Sequence, residues 1–360
     1  MAKKNIVVTG GSSGSFEVFK AIASGLPAGL DASIFIVWHM SPGVRGVLPQ
    51  VLNNVGRLPA SEAEDGDRIE TGRIYVARPD HHLLVEDGVV RVTRGPKENR
   101  FRPAIDPLFR SAAFTYGPRV VGVVTSGALD DGTSGLWTIK HYGGTAIVQD
   151  PSDAETASMP ESAIREVRVD HIVPLARIAE LIVELSAQEA DGEAAAVRAR
   201  DDVRHARTAL EIQVAGEQHP FELGVSNWGE LSPIACPECR GVLSRISEDG
   251  RPRFRCHTGH AYSADSLLAV VTENIEKSLW EAVRGIDESV MLLDHLGDHF
   301  AEINQPSLAA RFFRKSKEAA RRNDLIRQVV FGHEDPTALH INSGPTEGQV
   351  KPEDVSEAAA

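Results

Sequence analysis

The segment Ile6-Val7-Val8-Thr9-Gly10-Gly11-Ser12-Ser13-Gly14-Ser15 is a β-branched run that breaks into glycines and serines and leads directly into a helical pattern over 17–24. A sharp strand-to-helix turn sets its side chains at the carboxyl edge of a sheet, beside a helix N-terminus that favours negative charge. The alternation continues: strand-like runs at 5–8, 33–38, 120–125 and 146–148 are separated by helical patterns at 17–24, 108–113 and 134–141, with a closing helix over 175–185. This is the signature of βαβ units and predicts an α/β fold with a doubly wound, mostly parallel sheet. Runs at 73–77, 83–86 and 89–93 differ, and Asp87-Gly88 between the last two predicts an antiparallel hairpin excursion.

At 360 residues the chain exceeds one ordinary core, and two folded units are expected. Residues 1–185 form the first. The Ala-, Glu- and Arg-rich stretch 186–215 reads as a solvated helical linker, 216–262 as a small module around the cysteines, and 263–333 as a helical hairpin. Its first helix carries an apolar stripe from Leu268 to Leu293, and its second begins after Gln305-Pro306 with Ser307 as N-cap. Residues 334–360 hold six acids and one lysine with little to bury, and are expected to be disordered. The net charge of −13 argues against a nucleic-acid binder, although an isolated basic patch is compatible with it. No run approaches a membrane span and the N-terminus has no signal-peptide core, so membrane insertion is not expected and a cytoplasmic location is.

Two further strand ends supply chemistry. The run 33–38 ends in His39, and the run 120–125 ends in Ser126-Gly127-Ala128-Leu129-Asp130-Asp131-Gly132. Loops after parallel strands open on one edge, so Ser12, His39 and an aspartate can converge. A serine nucleophile needs a base, and the imidazole needs an acceptor on its other nitrogen. Each element alone has a plainer reading: a phosphate loop or tight turn, a strand-end histidine, a helix cap.

Taken together with Asn99-Arg100-Phe101-Arg102-Pro103-Ala104-Ile105-Asp106-Pro107-Leu108-Phe109, these segments resemble the chemotaxis-type protein-glutamate methylesterases (CheB-type) over nearly all of residues 4–185. The shared motifs are a G-x-S-[ST]-G turn, H-M-x-P-G after a strand, R-P-[SA]-x-D-x-L-F, and an [ST]-G-x-x-x-D-G loop. The resemblance implies a serine hydrolase that demethylates methyl-glutamates of a methyl-accepting chemoreceptor or similar methylated signalling protein, with glutamine deamidation in some members and no catalytic cofactor. By position it implies Ser12 as nucleophile, His39 as base, Asp131 as the residue orienting His39, Ser13 as a neighbouring hydroxyl, and Ala128 as a backbone oxyanion donor. Asp106, before Pro107, reads as an N-cap. The resemblance begins at residue 4, so control by a preceding receiver domain is not expected. A partner-binding module without catalysis and an esterase for another carboxyl ester are the alternatives.

Cys236, Cys239 and Cys256 are the only cysteines, and C-x2-C-x16-C-x3-H ends on His260. Three clustered cysteines make a poor disulfide framework and a good zinc site, which takes four tetrahedral ligands from thiolate and imidazole. The expectation is a structural Zn2+ in a zinc-ribbon-like module, with His257 as the alternative to His260. Arg311, Arg314, Lys315, Lys317, Arg321, Arg322 and Arg327 read as a solvated helix face, and His81-His82 as a loop.

Overall fold

The computed structural model describes residues 2–40, 43, 46–190, 202–248 and 251–332; the expected disordered tail over 334–360 and most of the first half of the expected linker lie outside them. Residues Met1–Val270 form one compact unit and Val271–Ala360 a second.

Seven strands make the main sheet: β1 (Ile6–Gly11), β2 (Ser33–Trp38), β3 (Ala60–Glu62), β4 (Arg73–Val76), β7 (Val120–Val124), β8 (Thr145–Gln149) and β9 (His171–Val173). Their order is β3-β4-β2-β1-β7-β8-β9, and every pair is parallel. The doubly wound α/β expectation holds. The strands step away from β1 in both directions, so the crevice at a topological switch point opens beside its carboxyl end. Residues alternate between two apolar layers as the pleat requires. Val8, Phe35 and Val37 face one core, and Val7, Ile34 and Ile36 the other.

α1 (Ser15–Gly25), α2 (Val47–Val55) and α6 (Leu175–Ser186) cover one face, and α3 (Ile105–Tyr116), α4 (Thr133–His141) and α5 (Ser158–Glu166) the other. β5 (His82–Glu86) and β6 (Val89–Thr93) form the antiparallel hairpin signalled by Asp87-Gly88, with Gly88 at φ 76°. The run at 73–77 is not part of that excursion; as β4 it pairs in parallel with β2.

The stretch expected to be a solvated linker contributes, in its described part, α7 (Asp202–Ala215), which buries Glu211, Val214 and Ala215. Glu211 pairs with Arg110 of α3, and Thr93 donates to the carbonyl of Ala215 at 2.6 Å. Beyond it, β10 (Glu230–Ala235), β11 (Val242–Glu248), β12 (Arg251–Cys256) and β13 (Ala261–Ser263) form a four-stranded antiparallel sheet. This small sheet packs within the first compact unit through a buried ion network. Glu98 meets Arg110 at 2.6 Å and Arg255 at 3.1 Å, and all three are at most 2% exposed.

α8 (Ala264–Glu302) enters the second unit, where it pairs with α9 (Pro306–Phe331). Phe300 stacks on Phe312 with ring centres 5.3 Å apart, and Asp287 accepts from Asn323 and Arg327, both at 2.6 Å. The N-cap of α9 is Gln305 rather than Ser307, because Pro306, with φ already fixed near the helical value, takes the first helical position. No described helix is long and apolar enough to cross a membrane.

Candidate active site

Ser12 follows β1 and His39 follows β2, and these adjacent strands pair in register with Gly11 opposite Trp38. The next residues on the two strands are therefore neighbours. The His39 amide donates to Gly11 O at 3.1 Å, and the Trp38 indole donates to Ser12 O at 3.1 Å, fixing both loops. Gly14, at φ 79°, bends the chain from the Ser12 turn into α1. The loop after β7 presses on the same place: a Cβ at Gly127 would lie 2.9 Å from Ser12 Cβ and 2.0 Å from Met159 Sδ.

Asp131 comes from that third loop. Its Oδ2 lies 2.7 Å from His39 Nε2, and both side chains are 2% exposed. Asp131 also accepts from the Ile105 amide at 2.7 Å and from Asn99 Nδ2 at 2.9 Å. Burial pushes this carboxyl up, but the bond and charge of His39, the Ile105 amide and Asn99 together hold it below the usual carboxylate range. An ionised Asp131 requires Nε2 to carry the proton. The other nitrogen, His39 Nδ1, is buried with no hydrogen-bond partner among the described residues. The Phe101 ring stacks on the imidazole at 3.7 Å between centres, 10° from parallel, and holds its plane.

Of the two neighbouring aspartates, Asp131 meets His39 and Asp130 turns away to accept from Ser263 Oγ at 2.7 Å. Ser13 is exposed, and its carbonyl accepts from Ser126 Oγ at 2.7 Å; Ala128 is exposed in the loop after Gly127. Asp106 is not the N-cap of its own helix. That place belongs to Ala104, and the Asp106 carboxylate reaches across to α4, accepting from the amides of Gly132 at 3.1 Å and Gly135 at 2.7 Å. Burial and then the charge of Asp131 push Asp106 up to about 7, against the pull of Arg253 and Arg110. His82 is not in a loop: it is buried in β5, bonded to Pro96 O at 2.9 Å and to the Ala104 amide at 3.3 Å.

Ser12 and His39 open onto a cleft of about 340 Å³ walled by Met40, Phe101, Asp80, Lys97, Arg100 and Arg102. Asp80 is engaged by Arg102 at 2.6 Å and Arg94 at 2.7 Å, and Lys97 by Glu238 at 2.9 Å. The wall thus carries three basic side chains and one acidic, with Arg102 and Lys97 already paired to carboxylates.

Cys236, Cys239, Cys256 and His260 converge with their sulfur and ring nitrogen atoms within 4.8 Å of one another. His257 is exposed and outside the cluster, its ring lying over Gly241, where a Cβ would meet it at 2.3 Å. The amides of Cys236 and Arg240 donate to Gly241 O and Cys236 O, making the tight knuckle that presents the first pair of thiols. Three thiols and one imidazole at this spacing fit a four-coordinate zinc, with all positions supplied by protein. Thr258, which the spacing did not signal, places its hydroxyl 3.0 Å from Cys256 Sγ and 3.2 Å from Cys239 Sγ, where it can hydrogen-bond thiolates.

Comparison with known proteins gives this arrangement its setting. Residues 7–182 match the family described as CheB methylesterase. A Leptospira interrogans protein named putative protein-glutamate methylesterase/protein-glutamine glutaminase is 39% identical over 180 residues, 50% of this chain and 93% of that protein. The chain belongs to the CheB methylesterase family. A protein-glutamate methylesterase/protein-glutamine glutaminase of Pyrococcus abyssi is 37% identical over 179 residues, 49% of this chain and 48% of the relative. The crystal structure of the Thermotoga maritima CheB methylesterase catalytic domain aligns at 35% identity and a TM-score of 0.49, over 51% of this chain and 99% of that one. The CheB methylesterase match holds Ser12, His39 and Asp131; the cysteine cluster, α8 and α9 lie beyond it.

Proposed function

We propose that the chain is a protein-glutamate methylesterase of chemotaxis-type signalling, acting on methylated glutamates of a methyl-accepting chemoreceptor or similar methylated protein, with Ser12 as nucleophile, His39 as base and Asp131 as its orienting acid. The observation that carries this reading is the buried His39–Asp131 pair at 2.7 Å, whose Nδ1, without a partner among the described residues, is the nitrogen left for Ser12 in the same cleft. Nδ1 takes the hydroxyl proton as Ser12 Oγ attacks the ester carbonyl. The tetrahedral intermediate collapses, and methoxide leaves as methanol with the proton from Nδ1. Water, deprotonated by the same nitrogen, then hydrolyses the acyl-serine and restores the glutamate. The amide of Ala128 supports the oxyanion, a role that leaves its side chain free to vary. An amide substrate releases ammonia by the same steps, which accounts for glutamine deamidation, an activity the relatives' names include. Cys236, Cys239, Cys256 and His260 would hold a structural zinc that supplies rigidity to the ribbon and takes no part in the chemistry.

A fluorophosphonate probe and a methanol-release assay on methylated receptor preparations test the reading together. Labelling and methanol release by wild type, both lost in Ser12→Ala, support it; a folded wild type that neither labels nor releases methanol rejects it.

A further inference from the structure

Asn99 uses its whole hydrogen-bonding capacity to join two parts of the chain far apart in sequence. Both amide hydrogens point at the catalytic side: Nδ2 lies 2.9 Å from Asp131 Oδ1 and 2.9 Å from Asp106 Oδ2. The amide oxygen points the other way, accepting from the Ser263 amide at 3.0 Å and from Ser266 Oγ at 3.3 Å. Two donors and two acceptor positions are all that a side-chain amide offers, and carboxylates on one side with N–H and O–H donors on the other fix which way it faces. The Asn99 backbone N–H also donates to Ala261 O at 2.8 Å. The residue sits 3% exposed at φ 48°, a conformation asparagine tolerates better than most side chains. Its neighbour Glu98 is held by Arg255 of the ribbon.

We propose that Asn99 is a positioning residue for the His39–Asp131 pair, and that β13 and the start of α8, by holding Asn99, make the C-terminal extension a working part of the active site. The inference rests on the methylesterase reading. Asp131 without Asn99 keeps His39 and the Ile105 amide on Oδ2, but Oδ1 is left with only the Asp106 amide at 3.4 Å, which loosens the plane of the carboxylate against Nε2. Misplacement on this scale is enough to cost a catalytic constellation about a hundredfold.

The full chain, purified without chelator, is assayed with a peptide carrying a glutamate γ-methyl ester. Asn99→Gly accepts the positive φ and deletes the side chain; Asn99→Asp keeps the shape and turns a carboxylate on Asp131 and Asp106; Ser266→Ala removes only the α8 hydroxyl that donates to Asn99 Oδ1. The expected result is a fall in kcat of roughly 10- to 100-fold for the two Asn99 variants and a few-fold for Ser266→Ala, with KM within twofold. The downfield imidazole N–H proton resonance should move or broaden in all three. A kcat within twofold of wild type in whichever Asn99 variant folds, with that resonance unmoved, overturns the proposal; should both fail to fold, Ser266→Ala decides on the same criteria. A wild type that hydrolyses no ester and takes no fluorophosphonate overturns the methylesterase reading instead.

Discussion

Arg255 Nη2 of the ribbon lies 3.1 Å from Glu98 Oε1 of the α/β body, and neither side chain is more than 2% exposed. Glu98 also answers Arg110 at 2.6 Å, so its removal strips both guanidiniums of this carboxylate, whereas removal of Arg255 leaves Glu98 with Arg110; breaking a buried pair costs about 3–5 kcal/mol. Glu98→Gln should lower the free energy of unfolding by about 3–5 kcal/mol, and Arg255→Met by less, because Arg110 still faces Glu98. Denaturant titration at neutral pH reads both, and a loss below about 1 kcal/mol for each would mean that the network contributes nothing beyond a surface pair.

Asp131→Asn should leave the fold intact and reduce kcat by about 10⁴-fold, since an amide at that position no longer demands a proton on Nε2. Steady-state kinetics beside a thermal melt checks it. Equal loss of kcat and melting temperature would assign Asp131 to stability instead.

Gly127 is the point at which the third loop touches the nucleophile. Gly127→Ala drives a methyl into Met159 and to 2.9 Å from Ser12 Cβ, and should slow acylation by about a hundredfold. Ala128→Met, whose role is carried by its backbone, should stay within a few-fold of wild type. The rate of fluorophosphonate labelling measures both on one scale.

Asp130 is raised from its ordinary 3.8 to about 6 by burial, with the charges of Asp265 and Asp131 adding to it and Ser263 and Arg253 pulling against it. A carboxyl raised in the folded state favours folding fully below its unfolded value, and that contribution disappears as pH climbs through the folded one. Wild type should therefore lose stability relative to Asp130→Asn between pH about 4 and about 6, and the two curves should run parallel above pH about 7. Melting temperatures across that range would show it, and parallel curves throughout would remove the assignment.

Exchanging Cys239 for Ser, or prolonged chelation, should release zinc in proportion to chains and lower the melting temperature, because Cys256 and His260 flank the turn from β12 to β13. Metal content near zero in a fully folded wild type would remove zinc from this cluster.

The parallel sheet was legible because β-branched runs and Gly-rich turns announce it locally, and Ser12, His39 and Asp131 each stand at the end of such a run. Asp130 and Asp131 could not be told apart by spacing, and only the bond to His39 separates them. Asp106 looked like the cap of its own helix, since sequence distance carries no sign of the amides of α4 that it caps. Asn99 stands in a motif that signals no role for it, as its partners lie 7, 32, 164 and 167 residues away. α7 hid behind an alanine-rich, charged composition that reads as solvated until Arg110 is seen to answer Glu211.

That last pairing bears on how the protein can be divided. The Leptospira relative aligns over 93% of its length without a counterpart of this chain's second half, so the family itself folds around a minimal α/β body. In this chain Arg110 and Glu98 have been committed to charges at Glu211, Arg253 and Arg255. A fragment ending at residue 185 would keep the Arg110–Glu98 pair but lose Glu211, Arg253 and Arg255, which cover it in the full chain.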